Sequence, residues 1–360
     1  MDNSYYDPIV YTIPEADDGL TLKTVLHKRM NISRKLLSRL KLTERGIMLN
    51  GERVYISVSV KTGDVVELRM ETETSDDIMP QPIPFDILYE DDHLLVVNKP
   101  AGLIVHPTHG HYTDTLANGV VHYWAERGQR YRFRPVHRLD QETSGVLAIA
   151  KNPYSHQQIS EQMLAGTVDK SYLAFVHGTA LPDAGELDGP IDRDPLEPHR
   201  RIVTPDGYPS LTRYAVRERF AAGAAVELTL LTGRTHQIRV HLSAAGAPLI
   251  GDRMYRHPCY GRPERAALPA AGGAASAAAA EAAAEGAAPE AHGGEAGDCA
   301  AVRALDAAIG RQALHAARLA LTHPALGSRM VFEAPLPPDM AALEARLSGR
   351  EKDAGDDRRP

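Results

Sequence analysis

The sequence predicts an α+β protein that is divided into two domains. Its 360 residues are enough for two hydrophobic cores of ordinary size. Apolar residues at helical spacing occupy residues 20–40, and the dipeptide Asn50-Gly51 that follows is typical of a β-hairpin turn. Beyond an acidic and Pro-rich segment over 71–84, apolar runs of strand length are separated by turn residues. We therefore expect a small domain, a linker at 72–84 and a larger domain built on a β-sheet.

Composition is that of an ordinary globular protein and excludes several other classes. Hydrophobic residues make up 43% of the chain and charged residues 24%. Two cysteines, Cys259 and Cys299, cannot build a disulfide framework or a zinc site. The amino terminus has no basic region followed by an apolar run, and no apolar run approaches the ~18 residues of a membrane span. We expect a cytoplasmic protein with no membrane partner.

The small domain is predicted over 19–71, after an amino-terminal extension over 1–18. Its first helix begins near Leu20, and Ser33 can cap a second helix. The formal net charge of the chain is −7, yet residues 23–45 hold eight basic residues and one acidic residue, a local charge of +7. Such a run is either a solvated helical face or a surface that binds phosphates. The candidates for phosphate contact are Arg34, Lys35, Arg39 and Lys41.

Polar residues crowd into segment 135–145, directly before the apolar run 146–150. The apolar run is predicted to be a buried strand, so the polar segment is a loop that leads into the core. Asp140, with Arg138 two residues before it, is a candidate for chemistry in this loop. In isolation, the same run of residues is usually a surface turn with a weak ion pair.

Two further segments carry polar groups on predicted strands. Residues 170–178 alternate so that Tyr172, Ala174 and Val176 share one face, although a strand tyrosine is commonly a packing residue. If residues 235–242 are extended, His236 and three apolar residues face one side, and Thr235, Gln237, Arg239 and His241 face the other.

These segments resemble, in order, the motifs of the RluA family of pseudouridine synthases. HRLDQETSG is similar to the HRLDxxTSG signature, KSYLAFVHG to the motif that bears a tyrosine, and TGRTHQIRVHL to the third motif. NKPAGLIVHP resembles the first motif, and RQALHA fits near the carboxyl end. The small domain resembles an S4-type RNA-binding domain, which commonly precedes the catalytic domain in this family. The resemblance covers residues 19–345 apart from one insertion.

The resemblance implies a mixed, largely antiparallel sheet in a catalytic domain over 85–348. It also implies the isomerisation of uridine to pseudouridine in RNA, which needs no cofactor and no metal. The implied catalytic residues are Asp140, Tyr172 and Arg239, with Asp140 as the nucleophile or anion and Arg239 as its partner. The implied contacts with the target nucleotide are Arg138, His137, Thr143, Arg234, His236 and Gln237.

The implied substrate is large-subunit ribosomal RNA, with transfer RNA as the alternative, and we expect a monomer. An ionised carboxylate in a dry pocket needs a cation beside it, which Arg239 would supply. Tyr172 offers a ring for stacking and a hydroxyl for the proton on carbon 5. Arg138 could fill the space that a flipped base leaves. Whether Asp140 attacks carbon 6 or promotes a glycal route stays open.

Four alternatives are weaker. A glycoside hydrolase would use Asp140 and Glu142 as a carboxylate pair, but nothing else indicates a platform for sugar rings. A triad of His137, Ser144 and Asp140 lies within eight residues on one loop and lacks a nucleophile elbow. A metal site at His236 and His241 is disfavoured because a strand would point them to opposite faces. An RNA-binding factor without activity is disfavoured by the intact set of implied catalytic residues.

A low-complexity insertion is predicted over 262–303. The segment is almost entirely Ala, Gly, Glu and Pro, and no branched apolar or aromatic residue follows Leu268 until Val302. Such a segment cannot bury a core, so we expect it to be disordered or partly helical. Residues 349–360 are predicted to be a polar tail.

Overall fold

The structure is a computed structural model, and it describes residues 4–179, 181–261 and 295–350. Most of the predicted insertion and almost all of the predicted tail therefore lie outside the described residues. Within the described ranges the protein has a small domain (residues 5–71) and a large domain (residues 85–348), joined by segment 72–84.

The small domain packs two helices against a four-stranded antiparallel sheet with the strand order β1-β4-β2-β3. Its elements are β1 (Ile9–Thr12), α1 (Leu22–Lys28), α2 (Arg34–Leu42), β2 (Ile47–Leu49), β3 (Glu52–Arg53) and β4 (Val65–Leu68). The Ser33 hydroxyl caps α2 by accepting from the Leu36 amide, as predicted. Asn50 and Gly51 join β2 to β3 with φ angles of 52° and 81°, the positive values that a tight hairpin turn requires.

The predicted amino-terminal extension over 1–18 is wrong. Strand β1 pairs with β4, and the Tyr6 amide donates to the Met70 carbonyl at 2.9 Å. Ile9 and Ile13 are buried in the core of the small domain. The apolar alternation that signals this strand is only five residues long and lies between two prolines, so it does not stand out in the sequence.

The large domain contains eleven strands and five α-helices among its described residues. These elements are β5 (Asp86–Glu90), β6 (Leu94–Lys99), α3 (Leu116–Glu126), β7 (Ser144–Ala150), α4 (Pro153–Leu164), β8 (Asp169–His177), β9 (Ala184–Asp188), β10 (Ile191–Arg193), β11 (Arg201–Val203), β12 (Leu211–Phe220), β13 (Gly223–Leu230), α5 (Gln237–Ala244), α6 (Glu295–Ile309), β14 (Leu314–Thr322), β15 (Arg329–Glu333) and α7 (Pro338–Leu347). Helix α6 begins at Glu295, so the last residues of the predicted insertion, 295–303, are helical.

Nine strands form one mixed sheet in the order β5-β6-β7-β14-β8-β13-β12-β9, with β15 paired to β14. The β7–β14 pair is parallel and the other pairs of this sheet are antiparallel, which confirms the predicted fold class. Gly145 permits the close approach of β7 to β14, because a Cβ atom there would lie 2.2 Å from the Ala316 carbonyl oxygen.

The sheet has a hydrophobic cluster on each face. On β7, Leu147 and Ile149 belong to the cluster that includes α3 and α5, whereas Val146 and Ala148 belong to the cluster that includes α4. Tyr172 lies in the first cluster with Ala174 and Val176, so the predicted alternation of β8 is confirmed. The cluster that contains Tyr172 also contains Leu139 of the polar loop and Ile238 of α5, which brings the three segments with motifs to one face.

The two domains contact each other through helix α4 and segment 72–84. The Gln157 side chain accepts from the Ser33 amide at 3.1 Å and donates to the Asn31 carbonyl at 2.6 Å. Glu73 forms ion pairs with Arg39 of the small domain and Arg134 of the large domain. The segment between the domains is therefore fastened to both of them.

Candidate active site

The polar loop over residues 135–145 holds Asp140 four residues before the buried strand β7 begins at Ser144. The Thr143 amide donates to the Asp140 carbonyl at 3.1 Å and closes a turn. The Asp140 side chain is 26% exposed, so its carboxylate lies at the surface of the core where a substrate can reach it.

Arg239 forms an ion pair with Asp140 and a second one with Asp252. Its Nη1 lies 3.1 Å from Oδ2 of Asp140. Its Nε and Nη2 donate to the two carboxylate oxygens of Asp252 at 2.7 and 2.9 Å. The Asp252 side chain is 0% exposed, and its Oδ1 also accepts from the amides of Met254 and Tyr255. The bidentate pair therefore fixes the guanidinium plane, and one remaining N–H group points at Asp140.

Arg239 reaches this position from a helix and not from the predicted extended segment. Helix α5 starts at Gln237, and all its residues from Gln237 to Ser243 are buried. A helix that is enclosed on every side has no polar face, so its sequence does not show the helical period. The prediction that Gln237, Arg239 and His241 share one face is wrong for the same reason.

Tyr172 lies in the buried part of β8 beside the polar loop. Burial raises the pKa of its phenol, and the negative charge of Asp140 raises it further. The hydroxyl therefore keeps its proton at neutral pH and can only lose it to a strong base. Leu139, which precedes Asp140 directly, packs in the same hydrophobic cluster as the Tyr172 ring.

His236 adopts a left-handed backbone conformation, with φ 59°, directly before α5. Such a conformation is uncommon outside glycine and often marks functional sites. The Tyr255 hydroxyl accepts from the Arg201 amide at 2.8 Å and lies 3.0 Å from His236 Nδ1. If the Tyr255 hydroxyl donates to Nδ1, the ring proton is on Nε2, which lies 3.9 Å from Oδ2 of Asp140. Burial lowers the pKa of His236, so the ring is neutral.

The other predicted contacts fall into two groups. Arg138 and Arg234 are exposed, so both are placed where RNA can approach, whereas the His137 ring has a buried Nδ1 and an Nε2 that accepts from the Ala148 amide at 3.4 Å. Thr143 and Gln237 are buried and use their polar atoms inside the protein. The Gln237 amide bonds four groups, which are the Thr232 hydroxyl, the Arg234 amide, the Leu211 carbonyl and the Thr212 hydroxyl. The structure therefore favours a positioning role for Thr143 and Gln237 over the predicted contact with the substrate.

The arrangement does not assemble the alternative sites. The Ser144 hydroxyl bonds Nδ1 of His315 at 2.9 Å inside the sheet, so it does not form a triad with His137. His241 bonds the Thr212 hydroxyl and the Gly189 carbonyl. Within the described ranges, no cluster of three or more His, Cys, Asp or Glu side chains could hold a metal, and no helix is long and apolar enough to cross a membrane.

Comparisons with known proteins agree with the fold. The family model described as RNA pseudouridylate synthase matches residues 93–244, and the model described as the RluD ribosomal pseudouridine synthase N-terminal domain matches residues 9–66. The Bacillus subtilis protein named uncharacterized RNA pseudouridine synthase YlyB is 37% identical over 84% of this chain and 85% of its own. The chain belongs to the RNA pseudouridine synthase family.

Other relatives of the synthase carry names that are more specific. A Xanthomonas campestris protein named ribosomal large subunit pseudouridine synthase D is 37% identical over 83% of this chain and 80% of its own. The solved structure of human RNA pseudouridylate synthase domain containing 4 covers 73% of this chain and 92% of its own, with 26% identity and a TM-score of 0.50. The synthase is thus an isomerase that forms pseudouridine in RNA.

Lys99 is a residue of the synthase that the sequence interpretation missed. It is fully buried below the polar loop, and its ammonium donates to the carbonyls of Pro100, Leu103 and Gln141 at 2.7, 2.7 and 2.9 Å. Gln141 follows Asp140 directly, so Lys99 supports the backbone that carries the carboxylate. The available signal was a lysine at the end of an apolar strand, where lysine is rarely found without a partner.

We expect Lys99→Met to destabilise the synthase and to lower its turnover. The carbonyls of Pro100 and Leu103 have no other donor among the described residues, so removal of the ammonium should lower the free energy of unfolding by about 2–4 kcal/mol at pH 7. Because Gln141 is attached to Asp140, the turnover should fall as well. Denaturant unfolding and single-turnover kinetics measure the two effects.

The pH dependence provides a check on this prediction. Burial lowers the pKa of Lys99 to about 7, below the ~10.4 of an unfolded lysine. Between these values the unfolded chain binds more protons, so this lysine makes the native protein more stable as the pH rises. The stability difference between the wild type and Lys99→Met should therefore be larger at pH 9 than at pH 7. The exposed Lys61→Met is the control, and an equal difference for Lys99→Met at both pH values would contradict the assignment.

Proposed function

We propose that the synthase isomerises one or more uridines of large-subunit ribosomal RNA, with Asp140 as the catalytic carboxylate. The observation that carries this proposal is the ion pair of Asp140 with Arg239, at the open end of a site that Tyr172 lines. The names of the relatives that match most of the chain support the ribosomal target. Transfer RNA is the alternative target. We propose that the enzyme acts as a monomer in the cytoplasm.

In the proposed reaction the bond between carbon 1′ of the ribose and nitrogen 1 of the uracil breaks. The uracil turns, and carbon 5 forms a new bond to carbon 1′. Carbon 5 then loses its proton and nitrogen 1 gains a proton, so product and substrate are isomers. Asp140 supplies the anion that reacts with carbon 6 of the base or assists departure of the base from the sugar. The geometry is compatible with either route.

Arg239 keeps Asp140 ionised and oriented, because its position is fixed by the buried Asp252. Tyr172 offers its ring to the uracil and a protonated hydroxyl to the reacting edge. His236 is neutral and directs its Nε2 atom toward Asp140, which makes it a second group that orients the carboxylate. Exposed Arg138 can occupy the space of the flipped nucleotide, since no partner holds its guanidinium among the described residues.

The small domain is proposed to bind phosphates of the same RNA. Arg34, Lys35 and Lys41 are exposed on or beside one face of α2. Arg39 differs from these three, because it is paired with Glu73 at the contact between the domains. We therefore assign Arg39 to domain docking and keep the other three as the predicted phosphate contacts.

The decisive experiment for the proposed function is a map of pseudouridines in total RNA. Cells that lack the gene are compared with cells that carry the wild-type gene or Asp140→Asn. We expect at least one uridine of large-subunit ribosomal RNA to be modified with the wild-type gene and unmodified in the other two strains. A site found only in transfer RNA would replace the ribosomal proposal, and a map unchanged by the gene would refute the proposal.

We expect the triple variant Arg34→Ala, Lys35→Ala and Lys41→Ala to weaken RNA binding without slowing the chemical step. On duplex RNA, the slope of log affinity against log salt should flatten by roughly 0.9 for every phosphate that the variant no longer binds. The KM should rise while kcat stays nearly unchanged, because these groups lie outside the reacting site. Filter binding at several salt concentrations and steady-state kinetics measure both effects.

Arg39→Ala is the matched control, because it also removes one positive charge from α2. It should lower the melting temperature by breaking the ion pair with Glu73 and leave the salt slope almost unchanged. If the triple variant instead loses its single-turnover rate at saturating RNA while it stays folded, the small domain takes part in building the active site.

A further inference from the structure

Among the described residues, both fully buried lysines have partners, whereas the half-buried Lys170 has none. Lys99 donates to three carbonyls, and Lys151 donates to Glu90 and to the Asp91 carbonyl at 3.1 and 2.6 Å. Lys170 is half-buried at the start of β8, yet its ammonium has no carboxylate or carbonyl partner in the part of the chain that the structure describes. Partial burial of its side chain lowers the pKa of Lys170, so the ammonium would gain from an anionic partner that approaches from the open side.

Strand geometry places Lys170 beside the reacting site. Residues two apart on a strand share a face, and they are separated by roughly 6.6 Å. Lys170 therefore lies on the same face as Tyr172, one step further along β8. The neighbouring Asp169 belongs to the opposite face, where it pairs with Arg329 at 2.5 Å, so it is not a partner for Lys170.

Two segments of the site approach the Lys170 ammonium. A Cβ atom built on Gly233 would lie 3.6 Å from Nζ of Lys170, so the backbone of the loop before α5 passes close to it. The charge of Lys170 also acts on His137 of the polar loop, whose pKa is lowered to about 4 by burial and by that charge. His137 is therefore neutral and offers no counter-charge to the Lys170 ammonium.

We propose that Lys170 binds a phosphate next to the target uridine, an assignment that rests on the proposed function. Within one nucleotide, the distance from the base to a backbone phosphate is similar to the distance between Tyr172 and Lys170 along β8. A uracil that stacks on Tyr172 would therefore bring one of its phosphates near Lys170. A phosphate oxygen would supply the acceptor that Lys170 lacks, and the bond would be charge-assisted in a partly dry site. The flipped nucleotide would then be held at its base by Tyr172 and at its phosphate by Lys170.

The test is a double-mutant cycle between Lys170 and the RNA. The probe is a synthetic RNA with the sequence around the uridine that the map identifies, made with a neutral methylphosphonate at the 5′ or the 3′ phosphate of that uridine. Lys170→Met should lower kcat/KM about 10- to 100-fold on unmodified RNA. At one of the two positions the methylphosphonate should cost the wild type a similar factor and cost Lys170→Met almost nothing further.

Three controls separate this role from a structural one. Lys170→Arg keeps the charge and should recover most of the activity. Lys170→Met should leave the melting temperature unchanged or raise it, because it removes a desolvated charge. Lys61→Met, which replaces an exposed lysine of the small domain, should behave as wild type.

The inference is overturned if the losses in kcat/KM from Lys170→Met and from the methylphosphonate multiply at both the 5′ and the 3′ phosphate. It is also overturned if Lys170→Met has normal activity on unmodified RNA. A lower melting temperature with no coupling to either phosphate would identify Lys170 as a packing residue. If the wild type itself fails to modify the unmodified probe, the proposed function fails, and this inference fails with it.

Discussion

Asp140→Asn is expected to lower the turnover of the synthase by at least ~10³-fold. The substitution keeps the shape of the side chain and removes the anion on which either proposed route depends. The protein should stay folded, because Arg239 retains its bidentate pair with Asp252. Affinity for RNA should also be retained, since the contacts with phosphates are made elsewhere. Single-turnover kinetics with saturating RNA, together with filter binding, measure both quantities.

The matched control is Glu142→Gln on the same loop. Glu142 is half-buried, and its carboxylate has no ion pair among the residues that the structure describes. Its substitution should change turnover only a few-fold, whereas a mechanism with two carboxylates would require both groups. Near-normal turnover of Asp140→Asn would remove the central assignment, and an equal collapse of both variants would favour the two-carboxylate alternative.

Arg239→Met is expected to lower the free energy of unfolding by about 3–5 kcal/mol and to abolish turnover. The substitution leaves the Asp252 carboxylate, which is 0% exposed, without its cationic partner. It also frees Asp140 from the group that orients it. Arg213→Met breaks the exposed pair with Glu186 and should cost less than about 1 kcal/mol, which makes it a suitable control.

A double variant separates the two functions of Arg239. Arg239→Met with Asp252→Asn removes both charges of the buried pair, so much of the stability should return. Turnover should not return, because Asp140 still lacks its partner. Recovery of both by the double variant would show that Arg239 acts only through the fold.

Acid unfolding gives the same pair a second test. Burial opposes the ionised form of Asp252, but its bonds to Arg239 outweigh burial and lower its pKa in the folded protein. The stabilisation is therefore present above the ~3.9 of an unfolded aspartate and is lost as the pH falls further. Below about pH 4 the free energy of unfolding of the wild type should fall as this contribution is lost. The double variant lacks the pair, so its free energy of unfolding should fall less.

Local sequence patterns determined much of this protein. The apolar run of β7, the turn at Asn50-Gly51 and the alternation of β8 each depend on neighbouring residues, and the structure has all three as predicted. The motifs with Asp140, Tyr172 and Arg239 are also local, and they were sufficient to indicate the family. These features could be predicted because the physical cause of each lies within about ten residues of chain.

Tertiary contacts alone decided the rest. Helix α5 is enclosed on all sides, so burial hides the period that would have distinguished it from a strand. Lys99, Asp252 and the contact of Arg39 with Glu73 acquire their roles from groups that are distant in sequence. A charge in a sequence does not reveal whether its partner is a buried carboxylate, a carbonyl, or a phosphate of another molecule. That partner depends on which segments the sheet brings together, so the supporting residues of the active site are decided by the fold and not by the local sequence.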